Sequence, residues 1–169
     1  SPEFSAANLD WIRVSSGFDE NGDAAKDASG GITRDATGAE ENATIVALAE
    51  SPIRAGLIFA GPDDGKLEMT RNDGGSWENI GGRFPGAPAV IHVIGIEPSH
   101  VDSATIYAAL DNHRENDFKP YLYVTHDWGK TWTSIASNLP TNRPGSVYVV
   151  REDPVNPNLL YCGTEIGAL

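Results

Sequence analysis

Cysteine is nearly absent from this 169-residue chain, with Cys162 the sole example. One thiol cannot close an internal disulfide, so no covalent framework holds the fold. Its place in the apolar run LLYCG (159–163) reads as a buried structural thiol, which leaves the redox compartment open. Basic residues are scarce: 12 Lys and Arg stand against 24 Asp and Glu, for a formal net charge of −12. Phosphate backbones and anionic membranes are held through Lys and Arg, so nucleic acid is not an expected partner. No run approaches the ~18 apolar residues of a membrane span, so membrane insertion is not expected. The N-terminus also lacks the basic-then-apolar pattern of a secretory leader. No G-x-S-x-G elbow occurs, and His92, His100, His113 and His126 show no zinc-ligand spacing. No segment sustains a 3.6-residue apolar period, which excludes helical repeats.

What is present is a repeat. TRNDGGSW (70–77) and THDWGKTW (125–132) share hydroxyl, Asn/Asp, Gly, hydroxyl and Trp at the same offsets, 55 positions apart. Upstream, ATIVALAESPIRAGLIFAG, VIHVIGIEPSHVDSATIYAA and SVYVVREDPVNPNLLYCG align without gaps, making Pro52, His100 and Pro154 equivalent. Pro52 to Trp77 spans 25 positions and His100 to Trp132 spans 32, so the second copy carries seven extra residues, around Asp111 to Phe118. β-branched and aromatic runs between Gly, Pro, Asn and Asp clusters predict strands near 44–50, 57–61, 66–71 and 76–80, then 90–97, 104–110, 120–125 and 131–136. Four antiparallel strands recurring every ~40–55 residues predict an all-β fold, a β-propeller of four-stranded blades. The spans are 1–4, where SPEF resembles the remnant of a cleaved expression fusion; 5–43, part of a preceding blade and a Gly/Asp-rich connection; blades over 44–80 and 81–137; and a blade cut short over 138–169. Two whole blades do not close a ring, and open blade edges predict self-association.

In each octapeptide an Asx side chain and a hydroxyl can clasp a hairpin turn whose Gly takes positive φ. Thr70, Asn72, Gly74, Ser76 and Trp77, with Thr125, Asp127, Gly129, Thr131 and Trp132, are therefore structural, the tryptophans acting as lids on their turns. The pattern resembles the Asp box of bacterial neuraminidase repeats, found in sialidases, some xyloglucan-degrading hydrolases and sortilin-type receptors. SGGITRDATGAEENATIVALAESP (29–52), DNHRENDFKPYLYVTHDWGKTW (111–132) and VVREDPVNPNLLYCGTE (149–165) are similar to large bacterial proteins of sortilin-like or glycosyl-hydrolase-like type. That resemblance implies a box lying away from the ligand face, and an extracellular or periplasmic setting. It carries no catalytic residues onto this chain.

The opposite face is built by the loops between second and third strands and by the connections between blades. Its candidates are Asp63 and Asp64 in the first repeat; Asp111, His113, Arg114, Glu115 and Asp117 in the insert; Arg83 and Arg143 in the connections; and Glu165 in the third repeat. Long loops on a rigid scaffold tend to carry function, which singles out the insert. Arg151, with Glu152, either points into the channel or forms a cross-strand ion pair. Asp19, Asn21 and Asp23 alternate as calcium ligands do, yet lack the Gly and Glu of an EF-hand loop, and a polar turn is the competing reading. No other cofactor is expected. Two functions stay open: a module binding a glycan or protein, without catalysis of its own, or part of a sialidase-like glycoside hydrolase whose acids converge only in a full ring.

Overall fold

The computed structural model describes residues 44–82, 84–139, 145–165 and 167–168. The strand expected near residues 9–15 and the candidates Asp19, Asn21, Asp23, Arg83 and Arg143 lie outside the described residues.

The first blade is a four-stranded antiparallel meander: β1 Ile45–Glu50, β2 Ile58–Pro62, β3 Glu68–Thr70 and β4 Glu78–Asn79. The second repeats it with β5 His92–Pro98, β6 Ile106–Asn112, β7 Asp117–Thr125 and β8 Thr133–Ser134. The third has β9 Val147–Glu152, β10 Leu160–Thr164 and a short β11 Gly167–Ala168. In each, the first strand is innermost, with β5 lying against β1 on one side and β9 on the other.

The gapless alignment of the three copies holds to the level of single hydrogen bonds. Ser51 N–H donates to Leu57 O at 2.8 Å, Ser99 N–H to Thr105 O at 3.0 Å and Asp153 N–H to Leu159 O at 3.0 Å, closing the same turn three times. The octapeptide turns tie back to that turn: Asp73 N–H donates to Gly56 O at 3.1 Å and Trp128 N–H to Ala104 O at 3.2 Å. Each inner strand also carries a register shift at the same repeat position, between Ile45 and Ala47, Val93 and Gly95, and Val147 and Val149. The first two lie on the inner strand itself, and the third appears where Gly163 and Thr164 oppose Val149 and Val147.

Two expectations are corrected. The seven-residue insert is not a free loop. Its residues extend the ladder, with Asn112 opposite Asp117, so β6 and β7 run seven and nine residues where β2 and β3 run five and three. Only a 3-10 turn, His113–Glu115, closed by Asn116 at φ 58°, caps the lengthened hairpin, an Asn tolerating the left-handed region better than most residues. Nor is Trp132 a lid on its own turn. It is 4% exposed, packs with Phe84 and Tyr123 between first and second blades, and donates its indole N–H to Ile80 O at 2.9 Å. Removing an indole of ~200 Å² from water contributes about 5 kcal/mol gross at ~25 cal/mol per Å². Trp132 is therefore a blade-to-blade fastener. Beside it, a Cβ added to Gly129 (φ 78°) would come within 2.6 Å of Ile80 Cβ, so glycine permits both the turn and the close approach of blades. A second apolar cluster, including Tyr107, Leu122, Val147, Val150 and Cys162, joins second and third blades.

Candidate functional site

The turns divide the molecule into two ends. At one end lie the β1–β2 type turns and the octapeptides. Thr70 Oγ1 accepts from Asn72 N–H (3.3 Å) and Gly74 N–H (3.0 Å), while Asn72 Oδ1 accepts from Ser76 N–H at 2.9 Å. In the second blade, Thr125 Oγ1 accepts from Asp127 N–H (3.3 Å) and Gly129 N–H (2.9 Å). Asp127 Oδ1 accepts from Thr131 N–H (2.9 Å), and Oδ2 from the Thr131 hydroxyl (2.6 Å). The Thr131 hydroxyl, then the Thr131 N–H and the Thr125 hydroxyl, lower the Asp127 pKa to about 2. Every polar atom named here works on its own turn, so the expectation of a structural role stands. Trp77 is half-buried and also partnered. Trp128, at φ 64°, lies beneath the guanidinium carbons of Arg54 and Arg71 of the first blade, at 5.6 and 5.0 Å.

Arg151 belongs to this same end, not to the opposite face where the sequence placed it. It sits late in β9, and its Nη1 donates to Glu97 Oε2 at 3.2 Å on the neighbouring inner strand. It forms the cross-strand ion pair, the second of its two readings. Glu152 is clamped beside it: its carboxylate accepts from Ser99 Oγ (2.9 and 3.0 Å), His100 N–H (2.6 Å) and Tyr107 Oη (3.2 Å), and its own N–H donates to Glu97 Oε1 at 3.1 Å. With every oxygen used, this buried carboxylate joins blades.

At the other end the candidates separate into fasteners and a cluster. Asp64 grips its own turn through Lys66 N–H (3.1 Å) and Lys66 Nζ (3.3 Å). Asp117 accepts from Tyr121 Oη at 2.6 Å and Lys119 N–H at 3.3 Å. Burial pushes its carboxyl pKa up, but the Tyr121, Lys119 and Asn112 hydrogen bonds outweigh that and lower it. Glu115 is exposed on the 3-10 turn.

The cluster draws on all three blades. Asp63 of the first blade accepts from Thr44 N–H at 3.0 Å at the entry to β1. Asp111 stands opposite His92 in the β5–β6 register, and its Oδ2 is bonded to His113 Nδ1. Asp111 is only 4% exposed, yet its Oδ1 has no hydrogen-bond partner among the described residues, while the His113 side chain is 43% exposed. Burial, then the Arg114 charge, lower the His92 pKa against the opposing pull of Asp63 and Asp111. On the third blade, burial, then the Asp111 and Glu165 charges, raise the Tyr148 phenol pKa. Asp63, Asp111, His113, Arg114 and Glu165 thus share one electrostatic neighbourhood with His92 and Tyr148, two residues the sequence reading did not single out. His92 was read as an ordinary strand residue. Tyr148 had a signal: the repeat alignment places it level with Val46 and Ile94, an aromatic where the other copies carry aliphatics. Among the described residues no group of three or more His, Cys, Asp or Glu is arranged to hold a metal ion.

No protein-family model matches the chain, and no curated protein matches it in sequence. Solved structures similar to it include YCF48 bound to a D1 peptide (19% identity, TM-score 0.53, 75% of this chain and 36% of that one). An ancestral GH74 enzyme (21%, 0.55, 76% and 18%) and the GH74 xyloglucanase from Xanthomonas campestris (17%, 0.58, 78% and 21%) are similar too. The fold is a β-propeller. At these identities the likeness carries the propeller architecture and nothing finer, and the chain spans 18–36% of the length of these structures. Other propellers thus lend this one a frame, and its chemistry has to be read from its own residues.

Proposed function

We propose that this propeller segment is a glycan-binding module of the Asp-box type, with its site on the end face opposite the octapeptide turns. The observation that carries the reading is the buried Asp111, whose unpartnered Oδ1 lies in a cluster with Tyr148, itself 44% exposed. A buried carboxylate oxygen without a donor is costly, and a ligand hydroxyl relieves that cost. An exposed aromatic ring beside it supplies the apolar surface that a sugar's C–H face covers. His113 and Arg114 add donors at the rim. Asp111→Asn should weaken binding of oligosaccharides about tenfold or more in calorimetric titration, since the amide turns a donor toward a ligand donor.

Turnover is not part of the proposal. Asp111 is committed to His113, and Asp63 to the Thr44 N–H, which leaves no pair of carboxylates free to act as acid and nucleophile. Cleavage of a chromogenic glycoside panel by the purified chain would replace this reading with a hydrolase. Self-association belongs to the proposal as well: Ile45, Val46 and Leu48 on β1, and Leu159 and Tyr161 near β10, are exposed. A monomer in light scattering across a wide concentration range would remove it.

A further inference from the structure

A β-bulge takes one residue out of the ladder and re-aims its side chain. Here the inner strands of all three blades share the irregularity at one repeat position, which makes it a feature of the repeat. The residues set apart are Val46, Ile94 and Tyr148, at the end of each inner strand nearest the candidate site. Val46 and Tyr148 are 49% and 44% exposed and Ile94 is half-buried, although Ala47, Val93 and Val147 beside them are buried. Their neighbours hold the fold. A Cβ on Gly95 would meet Tyr148 O at 3.1 Å and Ala109 Cβ at 3.2 Å, so the glycine lets β5 approach the β9 backbone at Tyr148. The position is thus held constant by packing while the side chain it presents differs from blade to blade.

We infer that Val46, Ile94 and Tyr148 are the residues with which each blade reads a saccharide, Tyr148 stacking on the apolar face of a pyranose ring and Val46 and Ile94 forming its aliphatic rim. The inference rests on the glycan-binding reading and deepens it. A pyranose presents C–H groups on its faces and hydroxyls at its edge; the bulge residues match the first and Asp111 Oδ1 the second. Affinity would then be set by which side chain occupies the bulge, with the scaffold unchanged.

The test is calorimetric titration of the full chain with cellotetraose, xylotetraose, maltotetraose and mannotetraose. Tyr148→Ala should weaken binding about tenfold, and Tyr148→Phe, which keeps the ring, should stay within about threefold of wild type. Ile94→Tyr should tighten binding or reorder the four sugars by about threefold or more. Tyr161→Ala, removing an exposed tyrosine outside the bulge, should leave affinity within about twofold. If wild type binds none of the sugars, the glycan reading falls and the inference with it. If wild type binds but Tyr148→Ala and Ile94→Tyr leave affinities and ranking unchanged, or Tyr161→Ala loses as much as Tyr148→Ala, the inference alone falls. Ile94→Tyr keeps the question open to refutation should Tyr148→Ala fold poorly.

Discussion

Glu152→Ala should be among the most destabilising single substitutions in the chain. The Glu152 side chain is 1% exposed and serves three donors at once: the Ser99 hydroxyl, the His100 N–H and the Tyr107 phenol. Alanine leaves all three without an acceptor, at about 1–3 kcal/mol each. The His100 side chain is 34% exposed, so water reaches part of the vacated space and the sum falls short of the maximum. About 3–5 kcal/mol is expected, matching the usual effect of removing one member of a buried charged network. Against a total stability of ~5–15 kcal/mol that is large enough to unfold much of the population. Glu152→Gln is the companion variant: it keeps one carbonyl acceptor but turns an NH₂ toward a donor, for about 1–2 kcal/mol. Urea unfolding followed by tryptophan fluorescence measures both, as a shift in midpoint at constant slope. A cycle of Glu152→Gln with Tyr107→Phe should return a coupling of about 1 kcal/mol. The Tyr107 phenol, pushed up to about 12 first by burial and then by the Glu152 charge, should titrate closer to 10 in the Gln variant. If Glu152→Ala stays within about 0.5 kcal/mol of wild type, the blade boundary is not held by this carboxylate, and the reasoning is wrong.

The two octapeptides provide an internal control on acid stability. Asp127, held to about 2 by Thr131 and Thr125, is below the ordinary Asp value of ~3.9 in the unfolded chain, so its contribution is present above pH ~4 and lost as pH falls toward 2. Asp127→Asn reproduces the Asn72 turn and should flatten the fall of Tm between pH 5 and 2; an unchanged slope counts against the clasp. Gly129→Ala and Gly86→Ala both place alanine at φ near 78°, but an added Cβ meets Ile80 at 2.6 Å in the first and nothing within 4 Å in the second. Gly86→Ala should cost about 1 kcal/mol and Gly129→Ala clearly more, in the same denaturation assay. The His92 imidazole should titrate below the usual 6.5 by NMR, and Arg114→Ala should move it up, because burial and then the Arg114 charge are what lower it. An unmoved His92 would place Arg114 outside the cluster.

The frame was legible because its signals are local. Octapeptides 55 positions apart, and turns whose closing hydrogen bonds recur at Ser51, Ser99 and Asp153, are written in consecutive residues, so strand order and repeat phase followed from spacing alone. Trp132 was misread because its partner, Ile80 O, lies 52 residues away on another blade, and a turn motif carries no record of what its tryptophan touches beyond the turn. The insert was read as a loop because seven added polar and aromatic residues look alike whether they bow outward or lengthen a hairpin; the Asn112–Asp117 pairing decides for the hairpin.

The site divides along the same line. Acidic residues near the β2–β3 type turns could be named from topology, but topology does not distinguish Asp64, spent on Lys66, from Asp111, which keeps one oxygen unpartnered. Arg151 shows the limit most directly: a charged residue on an inner strand reaches one end of the channel or the other according to how far along the strand it sits, and Arg151 is one residue from the end of β9 that meets Glu97. Tyr148, near the opposite end of the same strand, is placed by a bulge that no residue in the sequence announces. What did announce it was the comparison of copies: where packing keeps Ala47, Gly95 and Val149 beside the bulge, the residue before each is free to differ. In a repeat protein, a position that is structurally fixed and chemically variable between blades is where a ligand contact can be built without disturbing the scaffold.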